Sequence, residues 1–345
     1  MRVLPRRLGT GAAIVGVAVL GTIGLRTRAK EGAPMTSSAS CLPVQGKLAP
    51  FAGATAWLNT PPLTPEGLRG KVVLVDFWTF TCVNWLRTLP YVRAWSAKYR
   101  EKGLVVIGVH TPEFRFEQEL ERVRLATTVR EIDYPVVLDP DFAIWNAFDN
   151  HYWPALYFVD REGVIRDQHF GEGRYDHSER TIQKLLGVER DLVSDSTTGV
   201  GVEAEADWHH LRSPETYLGY ARGERRADEP AHLPANHWAT SGEWIVGPED
   251  VVLEQAGGTI AYRFHARDAH LVMSPGTNDP IPFRVLLDGE APGESRGVDV
   301  DADGNGVLDA GRMYQLIRQP GRIEDRTLEI AFGASGAEAY VFTFG

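Results

Sequence analysis

The first half of the chain alternates between continuous apolar runs and segments with helical spacing. Residues 71–77 and 104–110 are dominated by Val, Leu and Ile, and such runs are typical of strands buried on both faces of a sheet. Residues 83–101 repeat apolar side chains at helical spacing, which indicates a helix with one buried face. The predicted order is strand 71–77, helix 83–101, strand 104–110, helix 114–128, strand 135–138, helical turn 142–148, strands 155–160 and 164–170, and helix 177–186. This alternation predicts an α/β domain over 65–188, with helices on both faces of a central sheet.

From about residue 214 the pattern changes to short apolar runs separated by Gly, Pro and Asp. The runs are 259–265, 270–273, 283–287, 312–317, 327–332 and 340–344. Their spacing of about 10 residues is typical of an antiparallel β-sandwich or jelly roll. Residues 189–213 carry small and charged side chains and show neither the helical spacing of the first half nor the short apolar runs of the second. The sequence therefore predicts an all-β domain over 214–345, joined to the first domain by a linker over 189–213.

Basic residues flank an apolar segment at the N-terminus. Residues 8–25 contain no charged side chain over 18 positions, which is close to the shortest helix that spans a bilayer. Three basic residues follow directly, where a signal peptidase would have to cleave. We therefore expect residues 1–30 to be a membrane anchor, with a cleaved signal as the alternative, and the folded domains to lie outside the cytoplasm. Residues 31–64, rich in Pro, Ala, Thr and Ser, predict an extended tether with no more than one short strand.

The charge and cysteine content of the chain exclude some classes of function. The chain has 36 Lys and Arg against 46 Asp and Glu, a formal net charge of −10. Such a chain repels phosphate backbones, so no nucleic-acid partner is expected. Its two cysteines, Cys41 and Cys82, are too few for a disulfide framework or a four-thiolate zinc site. Any thiol chemistry therefore depends on these two residues.

Cys82 lies where the first predicted strand leads into the first long helix. A sulfur at a helix N-terminus is close to free N–H groups and to the positive end of the helix dipole. Both favour the thiolate and lower the pKa of a cysteine. We therefore expect Cys82 to be a reactive thiol with a lowered pKa.

Several motifs around Cys82 resemble those of a known family. The sequence Asp76-Phe77-Trp78 followed by Cys82 is similar to the approach to the active site in the thioredoxin-like superfamily. The segments most similar to its TlpA-like and DipZ-like branch are 78–90 (WTFTCVNWLRTLP), 110–114 (HTPEF) and 169–173 (HFGEG). The resemblance covers about residues 43–345. It implies a thioredoxin-like α/β domain with a mixed sheet, thiol–disulfide oxidoreductase activity, and a C-terminal β-sandwich similar to a carbohydrate-binding module.

The chain departs from that family at one position. The family motif is Cys-x-x-Cys, and here its fourth position is Trp85. A mixed disulfide is normally released by a second thiol, and Trp85 cannot act as one. The alternatives are a monothiol cycle resolved by another molecule, an internal partner in Cys41, or a redox-inert binding or scaffold module. A peroxidase is a further alternative, because Thr79 and Cys82 resemble part of the peroxiredoxin signature.

The resemblance also implies roles for individual residues. Cys82 would be the nucleophile, Asp76 would transfer protons, and Glu113 would be an acidic group near the thiol. A buried carboxylate such as Asp76 is expected to have a raised pKa; the alternative is a strand-end Asp bonded to the backbone. The alternative for Glu113 is a solvated residue at a helix start. The residues expected to bind substrate are Trp78, Trp85, Trp153 and Pro154, with Pro154 in a cis peptide bond. The alternative for Trp78 and Trp85 is core or surface packing.

No cofactor is predicted, and the partners follow from the proposed chemistry. We expect a protein or small-molecule disulfide or thiol as substrate, a membrane redox partner, and a carbohydrate-type ligand on the sandwich. No metal site is predicted, because the histidines lack ligand spacing; the candidates considered are His110, His151 and His169. One calcium-loop candidate has its ligands at Asp301, Asp303, Asn305 and Asp309. Its twelfth position is Arg312 rather than Glu, so a hairpin turn is the favoured interpretation.

Overall fold

A computed structural model describes residues 42–277 and 279–345. The predicted anchor and Cys41 lie outside these described residues. The described part of the chain folds as one compact unit. No helix within it combines the length and the apolar character needed to cross a membrane.

The first domain is built on a seven-stranded mixed sheet with the order β1-β7-β6-β3-β4-β5-β2. The strands are β1 (Gly46–Lys47), β2 (Ala56–Leu58), β3 (Val72–Trp78), β4 (Leu104–His110), β5 (Val136–Leu138), β6 (Ala155–Val159) and β7 (Val164–Phe170). Strand β4 runs parallel to β3 and β5, and the other pairs are antiparallel. The central strand β3 is buried along its whole length, as its apolar run predicts. The α/β prediction with a mixed sheet is confirmed.

The helices are α1 (Val83–Tyr99), α2 (Leu120–Val129), α3 (Ala143–Ala147) and α4 (Tyr175–Leu186). Helix α1 buries its apolar face, including Leu86, Leu89 and Trp95, against the sheet core. The single helix expected over 114–128 is instead a 3₁₀ turn at Arg115–Gln118 followed by α2. The turn ends where Glu119 adopts an extended conformation, which interrupts the helix.

The N-terminal tether also differs from the prediction. Strand β1 pairs with β7 at one edge of the sheet, and β2 pairs with β5 at the other. Residues 46–58 therefore belong to the first domain rather than to an extended tether. Both strands have only two or three residues, too few for a periodic pattern to show in the sequence.

The second domain is a β-sandwich, as predicted. One sheet has the order β10-β11-β18-β13-β16, with β8 added beside β18, and the other has the order β15-β14-β17-β12-β9. The strands are β8 (Thr216–Tyr217), β9 (Trp238–Ser241), β10 (Trp244–Val246), β11 (Val251–Leu253), β12 (Thr259–Phe264), β13 (Asp268–Ser274), β14 (Ile281–Leu287), β15 (Asn305–Leu308), β16 (Arg312–Arg318), β17 (Arg326–Phe332) and β18 (Glu338–Phe344). All pairs are antiparallel, and apolar residues from both sheets form one core.

The two domains share a hydrophobic cluster. Met313 and Tyr340 of the sandwich belong to the same cluster as Leu89 of α1. The ring of Tyr340 lies 4.9 Å from that of Phe114 and 5.0 Å from that of Phe116, between ring centroids. Apolar contact of this kind fixes the sandwich beside the end of β4 and the start of α1, which is where Cys82 lies.

Candidate active site around Cys82

Cys82 occupies the N-cap of α1, directly after the turn that follows β3. The residue is extended, and its carbonyl accepts the helical hydrogen bond of Leu86 at 2.9 Å. The backbone N–H groups of Asn84 and Trp85 point to the sulfur, as expected at a helix N-terminus. Cys82 is half-buried, and within the described residues it is the one cysteine and forms no disulfide.

The loop before β6 faces the sulfur. The peptide bond between Trp153 and Pro154 is cis, as the resemblance implies. The thiol of Cys82 donates to the carbonyl oxygen of Trp153 at 3.8 Å. The indole of Trp153 is half-buried and donates to the carbonyl of Thr111 at 3.0 Å. Trp153 and Pro154 therefore lie against Cys82, as predicted, and their binding of substrate stays a prediction.

The expected lowering of the Cys82 pKa is wrong. Burial raises the pKa of this thiol well above its usual value, and the carboxylates of Glu113 and Glu215 raise it further. The N–H groups of Trp85 and Asn84 act in the opposite direction but do not compensate. The helix terminus is thus outweighed by desolvation and two nearby negative charges, because both disfavour a thiolate. At neutral pH Cys82 is a thiol.

Glu113 lies near the thiol, but its partners come from the second domain. One carboxylate oxygen accepts the hydroxyl of Tyr217 at 2.7 Å and the guanidinium of Arg222 at 2.8 Å. The side chain is 8% exposed, so the alternative of a solvated helix-start residue is wrong. The guanidinium of Arg222 also lies 3.6 Å from the centroid of the Tyr217 ring. We refer to Glu113, Tyr217 and Arg222 as the interdomain clamp.

Glu215 is a second carboxylate at this face that sequence analysis did not identify. It precedes β8, and part of the residue is exposed to solvent while its carboxyl group lies among protein atoms. It also lines a cavity of about 210 Å³ beside Val83 and Asn84, the two residues after Cys82. Desolvation by the surrounding protein and the charge of Glu113 raise the pKa of Glu215 to about 7.

Trp85 fills the position of the missing second thiol and contacts Asp76. Its indole N–H donates to a carboxylate oxygen of Asp76 at 3.1 Å. Both side chains are fully buried, and burial raises the pKa of Asp76 to about 7 although this hydrogen bond lowers it. The expected raised pKa is confirmed, and the alternative of an Asp bonded to the backbone is not what the structure contains. A proton-transfer role for Asp76 stays a prediction.

The expected contact of Trp78 and Trp85 with substrate is wrong. The two rings stack on each other with centroids 4.3 Å apart, and neither side chain has any exposed surface. A fully buried side chain cannot form a docking surface, so these residues are part of the core beneath Cys82. The exposed aromatic residues beside the cis-Pro loop are instead Tyr152 and Phe170, with ring centroids 5.0 Å apart.

A fourth carboxylate, Glu117, was also missed. It is fully buried in the 3₁₀ turn before α2. One of its oxygens accepts from Thr81, the residue before Cys82, and the other accepts from the backbone of Glu113 and Phe114. Its sequence context is a polar position in a segment with helical spacing, which gives no signal of burial.

Metal ligands do not come together in the described part of the chain, where no three His, Cys, Asp or Glu side chains form a group able to hold an ion. Burial lowers the pKa of His110 to about 3, His151 is exposed, and burial lowers the pKa of His169.

The calcium-loop candidate forms a turn before β15. Asp301 accepts the backbone N–H groups of Asp303 and Asn305, and the fourth ligand, Asp309, accepts the hydroxyl of Tyr314. The hairpin-turn interpretation stays a prediction.

Comparison with known proteins agrees with the fold of both domains. Residues 56–168 match the AhpC/TSA family, and residues 213–345 match a thioredoxin-like C-terminal domain. The chain is 31% identical over 138 residues to the thiol-disulfide oxidoreductase YkuV of Bacillus subtilis, which covers 39% of this chain and 91% of that protein. A strand–Cys–helix junction facing a cis-proline, on a mixed sheet, defines a thioredoxin-like protein. The chain belongs to the thioredoxin-like thiol–disulfide oxidoreductase family.

A second relative extends the match across both domains. The chain is 36% identical over 258 residues to the protein DipZ of Mycobacterium tuberculosis (strain CDC 1551 / Oshkosh), covering 69% of this chain. The match covers 36% of that protein, so the chain corresponds to about a third of its length. Among solved structures, the solution structure of a thioredoxin-like protein in its oxidised form is 29% identical, with a TM-score of 0.39, and covers 42% of this chain and 97% of that one.

Proposed function

We propose that this protein is an extracytoplasmic thiol–disulfide oxidoreductase that acts as a monothiol through Cys82. The observation that carries the proposal is the position of Cys82, which is partly exposed and faces the Trp153 carbonyl while the fully buried Trp85 occupies the position of a resolving thiol. The reactive sulfur is kept and the second sulfur is replaced. A mixed disulfide formed on Cys82 therefore has to be released by a thiol from another molecule.

The proposed cycle has two exchange steps. The thiol of Cys82 first loses its proton to solvent, and the thiolate attacks one sulfur of a substrate disulfide. The substrate S–S bond breaks, the leaving sulfur takes up a proton, and Cys82 is left in a mixed disulfide. An external monothiol then attacks this bond, becomes oxidised in a disulfide with the bound substrate half, and restores the Cys82 thiol. The electrons come from the external thiol.

The raised pKa of Cys82 slows both halves of this cycle. A thiol with a raised pKa is a small fraction thiolate at neutral pH, which slows attack, and it is also a poor leaving group. We therefore expect a slow enzyme at pH 7 whose rate increases as the pH rises. This behaviour differs from that of low-pKa thioredoxin-like oxidants.

The test is turnover of 2-hydroxyethyl disulfide with glutathione as the external thiol, in the full chain carrying Cys41→Ser. We expect turnover to require glutathione and to be lost in Cys82→Ser. Turnover that disappears in Cys41→Ser alone would assign the resolving role to Cys41. Absence of turnover in the unaltered chain would favour the redox-inert binding module, and consumption of hydrogen peroxide would favour the peroxidase.

A second experiment tests the role of Trp85. Trp85→Cys restores the Cys-x-x-Cys spacing, so its mixed disulfide should resolve internally and leave an 82–85 disulfide that intact-mass analysis detects. Trp85→Ser is the matched control, because it leaves a cavity of nearly the same size and has no thiol. A glutathione adduct that persists on Trp85→Ser but not on Trp85→Cys supports the proposal. An adduct that persists equally on both contradicts it.

The surroundings of the reaction are also proposals. Residues 8–25 lack charged side chains and support a membrane-anchored or exported location, with a membrane redox partner as electron donor. The match of residues 213–345 to a thioredoxin-like C-terminal domain supports a shared function for the two domains. A carbohydrate-type ligand for the sandwich is tested by calorimetric titration of the whole chain with soluble oligosaccharides.

A further inference from the structure

Glu117 connects two segments that both reach the candidate active site. Its Oε1 accepts the backbone N–H of Thr81 at 3.3 Å and the Thr81 hydroxyl at 2.7 Å. Its Oε2 accepts the backbone N–H of Glu113 at 2.7 Å and that of Phe114 at 3.0 Å. Each oxygen of one carboxylate therefore serves a different segment. Cys82 follows the first segment directly, and the second carries Glu113.

The chemistry of this bridge requires a carboxylate. Four donors, three backbone N–H groups and one hydroxyl, converge on two oxygens, and only an ionised carboxylate is purely an acceptor at both atoms. Glu117 is fully buried, and three of the four hydrogen bonds are buried, so those donors have no water as an alternative acceptor. A buried donor that loses its acceptor destabilises the folded state. The residue is retained at a buried site although burial raises its pKa to about 7.

The segments joined by Glu117 carry groups that act on each other. Glu113 raises the pKa of Cys82, and it does so through space, so the effect depends on their separation. Beyond the ion pair of Arg87 and Glu172, which lines the cavity next to Asn84, two further charged groups act here: Glu215, which also acts on Cys82, and Arg222, which is paired with Glu113. Both come from the second domain, whereas Glu117 acts within the first.

We infer that Glu117 is a positioning residue, which holds the segment before Cys82 at a fixed separation from Glu113 and so sets the reactivity of the Cys82 thiol. This inference rests on the proposed role of Cys82 as the reactive sulfur. Glu117 does not touch the sulfur or a substrate in this assignment. It acts through the two backbone segments that it joins.

The test is the pH dependence of Cys82 alkylation by iodoacetamide, followed by intact mass in the full chain carrying Cys41→Ser. In Glu117→Gln one oxygen is replaced by an amide donor, so one segment is released. The midpoint of alkylation should fall by roughly 0.5–1 pH unit, and alkylation at pH 7 should become about three- to tenfold faster. Glu121→Gln, on an exposed side chain of α2, should leave the midpoint unchanged.

A double-variant cycle separates positioning from simple loss of charge. If Glu117 acts through Glu113, then Glu117→Gln adds nothing to the shift of Glu113→Gln. Additive shifts, or an unchanged midpoint in folded Glu117→Gln, would overturn the inference. If Glu117→Gln does not fold, Thr81→Val removes one donor and leaves the carboxylate in place, and it should give a smaller shift in the same direction; no shift contradicts the inference.

These outcomes are distinct from those that test the proposed function. Alkylation reports the Cys82 thiol whether or not disulfide exchange takes place. A shifted midpoint without turnover of 2-hydroxyethyl disulfide would remove the enzyme proposal and keep Glu117 as a positioning residue. Turnover of 2-hydroxyethyl disulfide with an unshifted alkylation midpoint would keep the enzyme proposal and remove Glu117 as a positioning residue.

Discussion

The indole N–H of Trp85 donates a hydrogen bond to the carboxylate of Asp76. A cysteine at position 85 could not donate the same hydrogen bond. Asp76 accepts this N–H at Oδ2, while its Oδ1 has no partner among the described residues. Burial raises the pKa of this carboxyl to about 7, so it changes protonation near neutral pH. Trp85 in place of the second family cysteine therefore affects the protonation of the buried Asp76 as well as thiol–disulfide exchange.

Trp85→Phe should raise the pKa of Asp76 above its value in the unaltered chain. A hydrogen bond from the indole stabilises the charged carboxylate, and phenylalanine keeps a ring but has no donor. The measurement is NMR titration of the Asp76 carboxyl carbon. Trp78→Phe is the matched control, because the Trp78 indole N–H has no partner among the described residues and its loss should leave the pKa unchanged. Equal titration curves for Trp85→Phe and the unaltered chain would contradict the assignment.

Asp76 should also make stability depend on pH. Its pKa in the folded state is raised from 3.8 to about 7, so between these values the folded state binds more protons than the unfolded state. Stability from this group therefore falls as the pH rises from about 4 to about 7, by at most about 4 kcal/mol. Urea denaturation across this range should give a flatter dependence for Asp76→Asn. A slope identical to that of the unaltered chain would show that Asp76 does not titrate there.

At the scale of elements, the short strands at the sheet edges depend on side-chain contacts. Asn59, directly after β2, donates through its side-chain amide to the carbonyls of Ile132 at 2.9 Å and Tyr134 at 3.0 Å. It also adopts a positive φ of 65°, which Asn tolerates better than most residues. These contacts fasten β2 beside β5 and bring the N-terminal segment into the first domain.

Asn59→Ala should destabilise the protein by about 1–2 kcal/mol, because two carbonyls lose a donor and alanine is less favourable at this φ. Urea denaturation gives the change in the free energy of unfolding. Thr60→Ala provides a neighbouring control, with an expected change below about 0.5 kcal/mol. If Asn59→Ala is as stable as the control, the strand does not depend on this contact.

Long elements could be predicted from the sequence and short ones could not. The apolar run 104–110 coincides with β4, because a strand buried on both faces needs apolar residues throughout. Strand β10 consists of three apolar residues, too few for the sequence to distinguish a strand from isolated apolar positions in a loop. Glycines and prolines separate the apolar runs of the β-sandwich and marked the ends of its strands well. These residues favour the backbone conformations of turns over those of strands.

The candidate site was predictable only where it is local in the chain. Cys82, the Trp153–Pro154 bond and the buried Asp76 follow from motifs within short segments. Tyr217 and Arg222 meet Glu113 across more than 100 residues, and no pattern around either residue indicates that contact. The pKa of Cys82 was mispredicted for the same reason, because the helix terminus is local, whereas the burial of the thiol, which is the largest cause, and the charge of Glu215 depend on the folded structure.

At the scale of the whole molecule, the second domain takes part in the electrostatics of the thiol. Arg222 pairs with Glu113 and partly offsets its charge, whereas Glu215 adds a negative charge. The sandwich also accepts a hydrogen bond from α1, since Arg87 donates to the carbonyl of Phe344 at 2.9 Å. The active-site helix is therefore attached to the sandwich a short distance after Cys82.

Arg222→Gln should slow alkylation of Cys82 at neutral pH. When the guanidinium is removed, the negative charge of Glu113 is no longer offset, so it raises the pKa of Cys82 further. We expect a decrease of about two- to fivefold in the rate at pH 7, measured by iodoacetamide labelling and intact mass. Arg225→Gln, a nearby exposed arginine paired with Glu224, is the control and should have no effect. Faster labelling in Arg222→Gln would contradict the role assigned to the interdomain clamp.

The hydrophobic cluster that joins Leu89 to Met313 and Tyr340 limits how this architecture can change during evolution. Separating the two domains would uncover apolar side chains on both, and each fragment would be prone to aggregate. Replacing the sandwich with an unrelated module would also remove the partners of Glu113. The two halves are therefore expected to be inherited together, and substitutions on either side of their boundary to be constrained by the opposite side.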